Sequence, residues 1–221
     1  GLTPRPTGEE PAQSAQATTS ESGSLSLAAG EAGIEQMTQA TVQVLAMVRE
    51  GQEWLPLWSG SGSIISADGL VLTNNHVVDT GLYDYDALGI AITRRSDAPP
   101  SLEYLARVVA VEPVLDLAVI RIVSDLDGNS VEPNLPYLEV GNSDEVEIGD
   151  RLRILGYPGI GGETITFTEG AVSGFTLERG VQGRAWIKTD ATIAGGNSGG
   201  VGANADGQLV GIPTIVTSGS E

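Results

Sequence analysis

Asp190-Ala191-Thr192-Ile193-Ala194-Gly195-Gly196-Asn197-Ser198-Gly199-Gly200 sets one serine among four glycines, directly after a short apolar run. Residues without a Cβ let backbone N–H groups come close to a developing negative charge, which a plain solvated loop has no reason to do. A serine hydroxyl is a poor nucleophile until a neighbouring imidazole takes its proton. That imidazole in turn has to be held by a carboxylate, so that the nitrogen facing the serine is left unprotonated. Working outward from Ser198, two upstream stretches hold these partners: Leu72-Thr73-Asn74-Asn75-His76-Val77-Val78 and Val114-Leu115-Asp116-Leu117-Ala118-Val119-Ile120. An aspartate inside an apolar run costs free energy unless it has a buried partner. Taken singly, each residue has a bland reading: His76 as a structural histidine, Asp116 as a turn residue, the glycine-rich stretch as a loop. Their joint occurrence, in the order His, Asp, Ser, outweighs those readings.

Around these stretches, glycine punctuates runs rich in Val, Ile, Leu and Thr at 41–48, 60–66, 70–74, 89–93, 105–111, 117–123, 151–156, 164–176, 184–189 and 208–216. Many short strands separated by turn signals indicate an all-β barrel or sandwich. Asp68-Gly69 and Asp206-Gly207 read as hairpin turns, and helical periodicity is confined to 31–40 and a turn after Asn75. Asp127-Gly128-Asn129 with Pro133 and Pro136 marks a boundary between halves at roughly 34–130 and 137–221. Residues 1–33 are rich in Ser, Thr, Glu and Pro and read as a disordered arm or linker.

The composition narrows the function. With 11 basic and 29 acidic side chains the net charge is −18, which argues against nucleic acid and anionic membrane surfaces as partners. Cys is absent, which excludes disulfides and thiolate chemistry, and with His76 the sole histidine a transition-metal site would have to be built almost wholly from carboxylates, so neither a metal nor another cofactor is expected. No stretch approaches the roughly 20 apolar residues of a membrane span, so direct membrane insertion is not expected. The chain opens without an initiator Met or a signal region and reads as a processed or partial sequence. Tyr83-Asp84-Tyr85-Asp86 reads as an exposed acidic loop.

Residues 34–217 resemble the trypsin-like serine peptidases, in particular their bacterial HtrA/Deg-like branch. The resemblance runs through Gly60-Ser61-Gly62-Ser63-Ile64-Ile65, Thr73-Asn74-Asn75-His76-Val77-Val78 and Asp116-Leu117-Ala118-Val119-Ile120. It continues through Gly149-Asp150, Gly156-Tyr157-Pro158-Gly159, Gly170-Ala171-Val172-Ser173, Thr189-Asp190-Ala191, Gly196-Asn197-Ser198-Gly199-Gly200 and Gly207-Gln208-Leu209-Val210-Gly211-Ile212. It implies two antiparallel six-stranded β-barrels with the site in the cleft between them. His76 would be the general base, Asp116 its orienting carboxylate and Ser198 the nucleophile, with Gly196, Asn197 and Ser198 forming the oxyanion hole. Thr192, Ile193, Ile212, Pro213 and Thr214 would line the primary pocket; none is acidic, so small or medium aliphatic side chains are expected before the cut. The resemblance further implies unfolded or damaged proteins as substrates, a place outside the cytoplasm, and a homotrimer. Departures from the family pattern are Val201-Gly202 in place of Pro-Leu and Gly195 before Gly-Asn-Ser, both expected to loosen the serine loop. The chain also stops at Glu221, ahead of the family's last barrel strand.

Two other enzyme readings fail on order or chemistry. Gly196-Asn197-Ser198-Gly199-Gly200 also fits the Gly-x-Ser-x-Gly of α/β-hydrolases, but those need a histidine after the serine. A Ser-Lys dyad would have to use Lys188, the only lysine, which reads more simply as a strand-end cation. The remaining alternative is a catalytically silent peptide-binding module built on the trypsin fold.

Overall fold

The computed structural model describes residues 33–79, 81–158 and 164–214. The expected arm at 1–33 therefore lies outside the described residues except for its last position, as does Gly159.

Residues 33–40 form a helix, α1, that leads into β1 (Thr41–Glu50). β2 (Glu53–Ile64), β3 (Leu70–Thr73), the one-turn helix α2 (Asn75–Val78), β4 (Ala87–Ile92), β5 (Ser101–Glu112) and β6 (Leu117–Asp125) follow. These six strands close an antiparallel barrel in the order β1-β2-β3-β6-β5-β4. The period-two signal behind the strand assignment is plain in β6, where Ala118, Ile120 and Ile122 are buried and alternate with half-buried neighbours. Gly69, at φ +86°, makes the β2–β3 turn, as the Asp68-Gly69 pair predicts.

The second sheet holds β7 (Arg151–Gly156), β8 (Thr166–Thr176), β9 (Trp186–Thr189), β10 (Val201–Ala203) and β11 (Leu209–Gly211), in the order β11-β10-β7-β8-β9. It is curled and antiparallel, so the all-β, two-part architecture stands. Among the described residues it has five strands and is not closed. β10 carries no periodic signal in the sequence, being only Val-Gly-Ala. It is nevertheless hydrogen-bonded on both sides, by β7 and β11. Gly202 is therefore no loose point, since a Cβ there would stand 2.7 Å from the Gly211 carbonyl, and glycine lets the two strands approach.

One core fills the first barrel and reaches into the second sheet through Leu155, Val201, Ala203 and Leu209, while a smaller one gathers Leu152, Ile154, Val172 and Val210. β7 serves both, because successive side chains point to opposite faces. The connection between Asp125 and Arg151 is tied to each half. Leu138 N–H donates to the Ile64 carbonyl (2.9 Å) and Gly141 N–H to the Leu209 carbonyl (2.9 Å).

Candidate active site

Strand register brings the first two residues together. Thr73 at the end of β3 pairs with Ala118 near the start of β6, so His76, three residues past one, faces Asp116, two residues before the other. α2 is anchored by buried Val77 and Val78 and by Trp58, whose indole N–H donates to the Val77 carbonyl (2.9 Å).

Asp116 is the one non-glycine residue with positive φ (+52°) among the described residues. The left-handed region costs an L-residue about 1–2 kcal/mol, less for Asp, and is kept only where the surroundings over-determine it. Here they do. The Asp116 carbonyl accepts from Asn75 N–H (3.0 Å) and Asn74 Nδ2 (2.7 Å), and Oδ1 accepts from His76 N–H (2.9 Å). Oδ2 lies 2.7 Å from His76 Nδ1 and accepts from Thr214 Oγ1 (3.0 Å), a residue of the second half. The carboxylate is 22% exposed and the imidazole 50%, so the ring has one face toward solvent.

Ser198 is buried, and its carbonyl accepts from Ser61 N–H of β2 (2.8 Å). A Cβ on Gly60 would meet both Val77 and the Ser198 carbonyl, so the serine turn lies beside α2. Gly199, at φ +88°, packs backbone against β2; a Cβ there would be 2.2 Å from the Ser61 carbonyl oxygen. Ser198 Oγ makes no hydrogen bond to His76 or Lys188 among the described residues. Such contacts commonly close only around substrate. Lys188 instead lies over Gly174 from β9.

The three residues expected at the oxyanion hole differ in their backbone N–H groups. Asn197 N–H donates to the Ala194 carbonyl (3.0 Å), closing a turn over 194–197, and its side-chain oxygen accepts from Thr166 Oγ1 (3.1 Å). The N–H groups of Gly196 and Ser198 have no acceptor among the described residues. The expected pocket residues also separate. Pro213 gives its carbonyl to Gly199 N–H (3.0 Å) and Thr214 its hydroxyl to Asp116. Ile193 packs with Phe175 and Ile187 on the smaller core, Ile212 on the larger, and Thr192 is exposed, its carbonyl accepting from Thr168 Oγ1 (2.7 Å). Sequence reading missed Thr214 as a carboxylate partner, along with Asn74 and Ser61. The only signal for Asn74 and Ser61 was their place inside matched motifs, and Thr214 lies just past the last of these.

The profile of the family described as a trypsin-like peptidase domain matches residues 60–212, from β2 through the whole serine turn. The chain belongs to that family. Among curated proteins it is 39% identical over 163 residues to a "Probable periplasmic serine endoprotease DegP-like" of Chlamydia muridarum, covering 73% of this chain and 29% of that protein. Proteins of the same description from Marinomonas sp. (37% over 161 residues, 69% and 29%) and Brucella suis (34% over 174 residues, 78% and 30%) match similarly. The chain thus spans less than a third of the length of these relatives. Among the described residues of this trypsin-like domain, no helix is long and apolar enough to cross a membrane, and no group of three or more His, Asp or Glu side chains is arranged to hold a metal ion.

Proposed function

We propose that the chain is a serine endopeptidase, acting outside the cytoplasm on unfolded or damaged proteins, with His76, Asp116 and Ser198 as its triad. The observation that carries this reading is the pair of contacts between Asp116 and His76, through the backbone N–H and Nδ1. An ionised carboxylate only accepts, so Nδ1 carries the proton and Nε2 keeps its lone pair. Nε2 then removes the Ser198 hydroxyl proton as Oγ attacks the scissile carbonyl, and the negative charge on that oxygen falls to the N–H groups of Gly196 and Ser198. The imidazolium passes its proton to the leaving amine, and the C–N bond breaks to leave an acyl-serine. Water then attacks the ester by the same route, releasing the acid and restoring Ser198.

The compartment follows from the relatives described as periplasmic, and unfolded substrates and a homotrimer from the Deg-like resemblance. The aliphatic preference before the cut rests on the resemblance, by which no acidic residue lines the primary pocket. Degradation of a denatured protein such as reduced casein tests the activity, which should vanish in Ser198→Ala. Binding of the same substrate without cleavage by the parent chain would favour a silent scaffold. Equal cleavage after arginine in a peptide library would remove the specificity reading.

A further inference from the structure

We infer that Ser61 is a positioning residue for the oxyanion turn, an assignment that rests on the peptidase reading and deepens it. Ser61 is fully buried in β2 of the first barrel, yet all its polar groups are used, with three hydrogen bonds across the boundary between the halves. Its N–H donates to the Ser198 carbonyl (2.8 Å), and its carbonyl accepts from Thr73 Oγ1 (2.7 Å). Its hydroxyl donates to the Gly196 carbonyl (2.7 Å) and accepts from Tyr157 N–H at the end of β7 (2.8 Å). Gly156 leaves room for that hydroxyl, since a Cβ there would stand 2.9 Å from it.

The turn it holds has little rigidity of its own. Gly195 has open space around it, and Gly196 sits at φ +97°, so the Gly195–Gly196 peptide that carries the Gly196 N–H is flanked by two glycines. Two anchors fix it: Asn197 N–H on the Ala194 carbonyl, and the Ser61 hydroxyl on the Gly196 carbonyl. Removing the second leaves the Gly196–Asn197 peptide plane held by one hydrogen bond instead of two, and loosens with it the donor N–H on the other side of Gly196. Only a side chain that both donates and accepts at one atom satisfies Gly196 and Tyr157 together. Losing a whole oxyanion donor costs about 10²–10³ in kcat, so misplacing one should cost about 10–100-fold.

The test is Ser61→Ala in the 221-residue chain, with Ser63→Ala as its control. Ser63 is equally buried, two residues along the same strand, and its hydroxyl has no partner among the described residues. Well below the melting temperature of each variant, Ser61→Ala should lower kcat about 10–100-fold with KM within about twofold, and Ser63→Ala should match the parent. Amide exchange at Asn197, read without any turnover, should accelerate at least about tenfold in Ser61→Ala. If Ser61→Ala does not fold, Ser61→Cys, a weak donor of similar size, should give an intermediate kcat and intermediate exchange. Parent-like kcat and parent-like Asn197 exchange, or equal losses in Ser63→Ala, would overturn the assignment. A parent chain without Ser198-dependent turnover sinks the peptidase reading instead, and the exchange measurement then still decides the role of Ser61.

Discussion

Two glycines of one turn should respond oppositely to the same added methyl. At Gly199, φ is +88° and a Cβ would stand 2.2 Å from the Ser61 carbonyl oxygen and 2.3 Å from Thr73 Oγ1. The left-handed backbone alone costs alanine about 1–2 kcal/mol. Relieving the overlap needs a displacement of about 1 Å, and the groups in the way are hydrogen-bonded: Thr73 Oγ1 to the Ser61 carbonyl, Ser61 N–H to the Ser198 carbonyl, and Gly199 N–H to the Pro213 carbonyl. Losing two of these at about 1 kcal/mol each brings Gly199→Ala to about 3–4 kcal/mol of destabilisation. A 1 Å shift of the adjacent nucleophile should also slow reaction about 100-fold. At Gly195 a Cβ meets nothing within 4 Å, so Gly195→Ala should stay within about 0.5 kcal/mol of the parent. Urea unfolding and the rate of fluorophosphonate labelling read both effects. Gly199→Ala unfolding within 1 kcal/mol of the parent and labelling at the parent rate would refute the close-packing account of the serine turn.

Asp116→Asn should lower kcat by about 10⁴ with little change in KM, since an amide can hold His76 in the wrong tautomer; activity within tenfold of the parent would remove Asp116 from its role. Thr214→Val deletes one of the donors to the Asp116 carboxylate while keeping the side chain's shape, and should reduce kcat about tenfold in a peptide-cleavage assay. Burial pushes the pKa of the Tyr157 phenol up from its ordinary value, against a smaller opposing effect of its hydrogen bond with Thr93. The folded state therefore holds this proton more tightly than the unfolded chain. Its stabilisation is complete below about pH 10, where the unfolded phenol titrates, and is lost as pH rises from there through the folded value. Urea midpoints should decline less steeply above pH 10 in Tyr157→Phe than in the parent.

What the sequence made legible was whatever leaves a local mark. Alternation exposed β6, glycine with positive φ exposed the Asp68-Gly69 and Asp206-Gly207 turns, and a charged residue in an apolar run exposed Asp116. β10 escaped because three residues held between two neighbours need no pattern of their own. The sequence does not separate Asn197 from Gly196 and Ser198 for a related reason: which N–H groups of a glycine-rich turn are free depends on how the turn closes on itself. Thr214 and Ser61 are contacts between the two halves, at separations of 98 and 135 residues, and no short-range signal encodes such partners. Tyr83-Asp84-Tyr85-Asp86 is less detached than a solvated acidic loop, with Tyr85 edge-on to Trp58 (5.6 Å) and Asp86 accepting from Arg49 N–H (2.8 Å).

The most direct test of the triad is covalent labelling of the purified chain with a fluorophosphonate, with the adduct located by mass spectrometry. This reaction needs an activated serine and an oxyanion site but no guess about substrate. A single adduct on Ser198, absent from Ser198→Ala and slowed by at least 10³-fold in His76→Ala, is the predicted result. No adduct on Ser198, or labelling that persists at the parent rate without His76, would contradict the account.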